Sequence, residues 1–169
     1  MPLPRCASPL CSWLGRSYGI PKPAYRAFQL LHATGTQRFP VSVPGALSAT
    51  FGALGTKNAT HATLLFWNHN LPNMTAATPT VSACVAVQGG YSAAVLATVT
   101  LLDETHGNAP RLWLKMGAPA YPSATQIAAL KAASEPSTTQ LTVSARNGAL
   151  VFNVALKPYA LLAYTFALP

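Results

Sequence analysis

Apolar and polar residues alternate in short runs along most of the chain after residue 37. An alternation with period two is typical of β-strands that bury one face. Pro, Gly and Asn residues separate the runs, as expected for the turns between strands. Between the runs at 140–145 and 149–155, Asn147-Gly148 favours a type I′ hairpin turn. The predicted strands are 46–53, 61–67, 80–88, 93–101, 140–145, 149–155 and 159–168. This pattern predicts a mainly β protein with an antiparallel β-sandwich.

A different pattern precedes the strands. Pro21 and Pro23 are placed to open a helix, and Gly35 to terminate it. The helix has about three turns, so it needs packing against other elements to persist. Its apolar face comprises Ala24, Ala27, Phe28 and Leu31.

A polar insertion interrupts the strands at about residues 103–135. It is expected to hold two short helices, at 111–116 and 125–133. Gly117 is a C-terminal stop signal for the first helix, and Ser123 is an N-cap signal for the second.

Composition limits the function classes. The chain has 169 residues, enough for one domain but too few for a (β/α)8 barrel of about 200 residues plus a sandwich. Its net charge of +8 reflects only three acids, Asp103, Glu104 and Glu135. The basic residues are scattered singly, which argues against nucleic-acid binding. The apolar stretch 82–102 contains a Gly-Gly turn between β-branched alternations, so we expect two strands there and no membrane span.

Cysteines and sequons give weaker signals. Cys6 and Cys11 could form a disulfide in an oxidising compartment, whereas Cys84 is expected to be a small buried hydrophobe. Asn58 and Asn73 begin N-glycosylation sequons, which are meaningful only in a secreted protein. Residues 1–15 contain no apolar core of the length that a secretory signal requires.

The three acids offer no catalytic pair. Asp103 and Glu104 are adjacent, so on a strand their side chains would point to opposite faces. Glu135 follows the second insertion helix. Asp103 and His106 are spaced for a contact, but two ligands do not make a zinc site, and we predict no metal and no cofactor. We expect Asp103 and Glu104 to hold the insertion through hydrogen bonds.

Aromatic residues provide the one candidate ligand surface. Trp113 and Tyr121 of the insertion could stack on a carbohydrate, although packing within the fold is the alternative role for Trp113. Trp67 ends an apolar strand and is predicted to lie in the core.

Two segments resemble a known family. They are GIPKPAYRAFQLLHATG at residues 19–35 and LDETHGNAPRLWLKMGAPAYP at residues 102–122. Both are similar to the C-terminal part of glycoside hydrolase family 39, which holds β-xylosidases and α-L-iduronidase-like enzymes. The resemblance covers roughly residue 18 to the C-terminus. It implies that residues 18–36 are the last helix of a catalytic barrel and residues 37–169 a β-sandwich with a helical arm, after a disordered or unrelated leader at 1–17.

The resemblance also implies an activity. Family members are retaining glycosidases that use two glutamates on barrel strands, and neither glutamate context occurs in this sequence. We therefore expect the non-catalytic β-sandwich portion of such an enzyme, which would self-associate through the exposed Ala24/Ala27/Phe28/Leu31 helix face. A secreted or lysosomal-type compartment is implied for the full-length family. The alternatives are a stand-alone carbohydrate-binding or adhesion module and a scaffold without ligands.

Overall fold

A computed structural model describes residues 18–41, 50–69 and 81–169. The expectations for residues 1–17, including Cys6 and Cys11, and for Asn73 lie outside this range, as does the side chain of Cys84. The helices are α1 (Pro23–His32), α2 (Ala109–Lys115) and α3 (Ala124–Ala133). The strands are β1 (Gln37–Phe39), β2 (Phe51–Lys57), β3 (His61–Asn68), β4 (Val81–Tyr91), β5 (Val95–Leu102), β6 (Ser137–Arg146), β7 (Gly148–Leu156) and β8 (Ala160–Ala167).

All described strands belong to one antiparallel sheet with the order β1-β2-β3-β8-β5-β6-β7-β4. Strand β6 changes partner along its length. Its pairing with β5 extends to Val143, opposite Val95, and its pairing with β7 starts at Ser144, opposite Val151. Because the first part of β6 pairs only with β5 and its last part only with β7, the sheet bends at this strand. Its two halves then form the layers of a sandwich. The predicted mainly β class is confirmed.

The core lies between these two layers. Phe66 of β3 and Tyr164 of β8 meet edge to face, with ring centroids 6.1 Å apart. Phe152 of β7 stacks on Tyr164 from the opposite layer at 4.6 Å. Leu64 and Val154 are fully buried beside them. Side chains from β3, β7 and β8 therefore join the layers into one hydrophobic core.

Local turn and cap signals were correctly identified from sequence. Asn147 and Gly148 have φ angles of 51° and 77°, as the predicted hairpin turn requires. The Ser123 side chain accepts a hydrogen bond from the Gln126 backbone N–H, and the Gln126 side chain bonds back to complete a capping box. Gly117, with φ 83°, ends α2 in a Schellman motif, because its N–H and that of Ala118 donate to the last carbonyls of the helix.

The beginning of the sheet differs from the prediction. Strand β2 runs from Phe51 to Lys57, four residues beyond the predicted end of the strand at 46–53. Residues 46–49 of that predicted strand lie outside the described range. Strand β1 was missed because its three residues carry no alternation of their own and are ordered by pairing with β2. Glycine residues within β2 interrupt its alternation of apolar and polar side chains, so the pattern does not indicate the full strand. A Cβ atom at Gly52 would lie 2.2 Å from the indole of Trp67, so this glycine permits a close cross-strand contact.

Helix α1 ends at His32, three residues before the predicted stop at Gly35. Gly35 is required for a different reason: a Cβ atom there would lie 2.0 Å from the backbone carbonyl carbon of Lys57. On the predicted apolar face, the exposed fractions of Phe28 and Leu31 are 58% and 43%. Among the three helices described, none combines the length and apolarity that a membrane crossing requires.

Candidate functional site

The arm, residues 103–135, has a small apolar core of its own. Helices α2 and α3 contribute Ala109 and Leu130, which are almost fully buried. Ile20, from the segment before α1, is the third buried member of the cluster, with 2% of its surface exposed. The arm therefore packs against Ile20, just before α1, and its apolar core is separate from that of the sandwich.

The two candidate carbohydrate-binding residues occupy different environments. Trp113 is half-buried against the arm cluster, and its indole Nε1 donates to the Pro119 carbonyl at 3.1 Å. The cavity beside Trp113 has a volume of only about 10 Å³. Tyr121 is 90% exposed. The arm thus partly encloses the Trp113 ring, whereas the Tyr121 ring lies almost entirely in solvent.

Trp67 is not a core residue, which corrects the prediction from sequence. In β3 the even-numbered side chains from Ala62 to Asn68 face the core, and Trp67 lies on the outer face with 37% of its surface exposed. Leu65 lies on the same face as Trp67 and is only 1% exposed, so this face is covered at Leu65 and open to solvent at Trp67, a difference that period-two alternation does not show.

Asp103 holds the turn that begins the arm. Its Oδ1 accepts hydrogen bonds from the backbone N–H of Thr105 at 2.7 Å, the Thr105 hydroxyl at 2.9 Å and the His106 backbone N–H at 2.8 Å. The His106 Nδ1 lies 2.9 Å from the same oxygen. Partial burial alone would raise the pKa of the Asp103 carboxyl, but these hydrogen bonds outweigh burial and hold the pKa below its ordinary value.

The same turn occurs a second time, between β2 and β3. The Asn58 Oδ1 accepts from the Thr60 backbone N–H at 2.9 Å, the Thr60 hydroxyl at 3.2 Å and the His61 backbone N–H at 2.8 Å. The shared sequence is Asn/Asp-x-Thr-His, a local signal that sequence reasoning overlooked. An amide performs at Asn58 what a carboxylate performs at Asp103, so the geometry at Asp103 is that of a turn. The exposed Asn58 is also the one predicted glycosylation position within the described residues.

Glu104 and Glu135 are also engaged by basic side chains. Arg111 Nη1 lies 2.9 Å from the Glu104 carboxylate, and Arg26 forms an ion pair with Glu135. The expected role of Asp103 and Glu104 in holding the insertion through hydrogen bonds is confirmed. All three acids of the chain therefore have a structural partner.

An open groove of about 580 Å³ lies at one edge of the sandwich. Apolar side chains such as Phe39, Val87 and Leu168 line it, and Lys57 is the one charged side chain among the described residues of its lining. None of its described lining residues is an Asp or a Glu, so its side chains offer no acid–base pair. Across the described ranges, no cluster of three or more His, Cys, Asp or Glu side chains could hold a metal ion.

Comparison with known proteins identifies relatives over most of the chain. The family model for glycosyl hydrolases family 39 matches residues 13–150. A β-xylosidase from Caldicellulosiruptor saccharolyticus is 31% identical over 149 residues, covering 88% of this chain and 30% of the relative.

Solved structures show the same fold. The GH39 enzyme from Xanthomonas axonopodis pv. citri aligns with 92% of this chain and 32% of its own, at a TM-score of 0.71 and 20% identity. A bacterial orthologue of human α-L-iduronidase aligns with 89% of this chain and 27% of its own, at a TM-score of 0.68 and 18% identity. The chain thus spans about a third of the length of these relatives.

The Asp103 turn should make stability depend on pH. Because the folded-state pKa is depressed, the contribution of the carboxylate is complete above the ordinary Asp pKa of about 3.9 and is lost as pH falls through the folded value. Asp103→Asn keeps the accepting oxygen but removes the charge. We expect it to lower the unfolding free energy at pH 7 by about 1 kcal/mol and to flatten its decline as the pH falls through the folded-state pKa of Asp103.

Urea unfolding at pH 7, 5 and 3 measures this difference. Asn58→Asp is the matched control, since it places a carboxylate in the equivalent turn and should steepen the decline. Parallel pH profiles for the wild type and Asp103→Asn would show that the Asp103 charge does not contribute.

Proposed function

Because the chain belongs to glycosyl hydrolases family 39, we propose that it forms the non-catalytic β-sandwich portion of a glycosidase of the β-xylosidase or α-L-iduronidase type. The resemblance of residues 19–35 and 102–122 to that family is confirmed. In this proposal residues 18–36 are the last helix of the barrel, and residues 37–169 are the sandwich with its arm. The glycosidic bond is hydrolysed elsewhere, on a barrel.

The observation that carries this proposal is the engagement of all three acids in structural bonds. Glycoside hydrolysis normally needs two carboxyl groups facing one bond, about 5–5.5 Å apart for retention of configuration. Asp103 holds a turn, and Glu104 and Glu135 are each paired with an arginine. Neither Glu104 nor Glu135 lies on a strand, whereas the family resemblance implies catalytic glutamates on barrel strands.

The exposed face of α1 supports the assignment of this helix to a barrel. Phe28 and Leu31 present apolar surface to solvent, although the helix has several half-buried residues on its other side. Burial of such a surface is favourable by about 25 cal/mol per Å². A barrel would bury it in a larger protein, and a second copy would bury it for this chain alone.

The chain alone should not hydrolyse glycosides. The purified chain should release no nitrophenol from aryl β-xylosides or α-L-iduronides above the rate in buffer, because no carboxyl pair is free to act. Asp103→Asn, Glu104→Gln and Glu135→Gln should give the same traces. Turnover above the buffer rate that any one of these substitutions abolishes would refute the proposal.

The chain alone should self-associate through the exposed face of α1. The average mass in sedimentation velocity should rise with protein concentration, and Leu31→Ser should reduce that rise by removing apolar contact area. Leu114→Ser is the matched control, because Leu114 is 64% exposed on α2 and lies outside the proposed surface. A monomer at every concentration, or equal effects of the two substitutions, would argue against this surface.

A carbohydrate-binding module is the alternative function, and the 90% exposure of Tyr121 is the observation that favours it. An exposed ring can stack on a sugar face. Under this alternative, the chain should be retained on xylan, and Tyr121→Ala should release it without lowering the melting temperature. Glycosaminoglycan binding driven by the net charge of +8 should instead disappear at high salt. Absence of retention in both experiments would exclude the alternative.

A further inference from the structure

Helix α1 lacks the buried side chains that normally hold a helix in place. None of its ten residues is buried. A helix of this length is marginal in water without tertiary contacts. Contacts at its ends and through individual side chains must therefore keep it folded. Two described contacts, made by Ile20 and by Arg26, lead to the arm.

The first contact is the insertion of Ile20 into the arm. Ile20 precedes α1 by three residues, is 2% exposed and packs with Ala109 of α2 and Leu130 of α3. Pro21 and Pro23 follow it, and their fixed φ angles limit how the chain can turn from this anchor into the helix. The position of Ile20 in the arm therefore restricts where α1 can start.

The second contact is Arg26, which reaches the C-terminal end of α3. Its Nε donates to the backbone carbonyl of Ser134 at 2.9 Å, and its guanidinium also pairs with the Glu135 carboxylate. Ser134 is the C-cap of α3, where carbonyl groups lack helical partners and the helix dipole favours a cation. Only 15% of the Arg26 side chain is exposed. Arg26 therefore completes the end of one helix while fixing another.

We propose that the arm is the docking surface for α1, so that residues 18–32 and 103–135 open and close as one cooperative unit, separate from the sandwich core. Local unfolding of proteins proceeds through such units, whose members share one opening free energy. If α1 is the last barrel helix, a point that rests on the proposed function, the arm attaches the barrel to the sandwich. The coupling itself needs only the contacts of Ile20 and Arg26.

Amide hydrogen exchange of the full chain, measured by mass spectrometry, tests the coupling. Ile20→Ala should accelerate exchange in α1, α2 and α3 together, by about tenfold or more, because a buried aliphatic side chain is lost from their shared cluster. Exchange in β3 and β8 should remain unchanged. Leu31→Ala is the control, since this exposed side chain on the same segment should not affect α2 or α3.

The competing arrangement is docking of α1 on the sheet, where it also approaches β5. Acceleration in α1 without α2 and α3, or in α1 together with β5, would overturn the proposal. Should Ile20→Ala fail to fold, Arg26→Lys provides the same test, because one ammonium cannot reproduce the guanidinium contacts.

A double-mutant cycle with Arg26→Lys and Glu135→Gln completes the experiment. The two substitutions should be non-additive in the exchange rates of both α1 and α3. Additive effects would contradict a link through this pair. These outcomes do not depend on glycosidase activity, so failure of the coupling would leave the proposed function untouched, and the reverse also holds.

Discussion

Strand β6 is the element on which the architecture depends, because it pairs with β5 along one part and with β7 along the other. This change of partner lets a single antiparallel sheet close over its own core. It also places β7 opposite β3 and β8, so that Phe152 meets Tyr164 across the layers. The arm enters the chain immediately before β6, which keeps its separate apolar cluster outside the sandwich.

The chemistry of the chain follows from how few acids it has. With three carboxyl groups in 169 residues, each one that forms a structural bond is unavailable for catalysis. Asp103 holds a turn that Asn58 reproduces without a charge, and Glu135 pairs with Arg26 of α1. Membership of a glycosidase family is compatible with three structurally engaged carboxylates if, as proposed, hydrolysis takes place on a separate catalytic barrel.

Local signals in the sequence predicted much of the fold, whereas non-local contacts escaped prediction. The Asn147-Gly148 hairpin and the caps at Ser123 and Gly117 depend on neighbouring residues, so their chemistry is visible in the sequence. The partner change of β6, the outward face of Trp67 and the Arg26 contact with Ser134 depend on residues far along the chain. Trp113 and Tyr121 are candidate carbohydrate-stacking residues of the same predicted insertion. Their different exposure is set by the packing of the arm and is not visible in the sequence.

Covalent trapping tests the central claim that no carboxylate of this chain acts on a glycosidic bond. Retaining glycosidases form a glycosyl–enzyme intermediate on a carboxylate nucleophile, and a 2-deoxy-2-fluoro glycoside with a good leaving group accumulates it. Intact-mass spectrometry after incubation with the β-xyloside and α-L-iduronide reagents should show only the unmodified chain. A stoichiometric adduct mapped to Asp103, Glu104 or Glu135 would contradict the account.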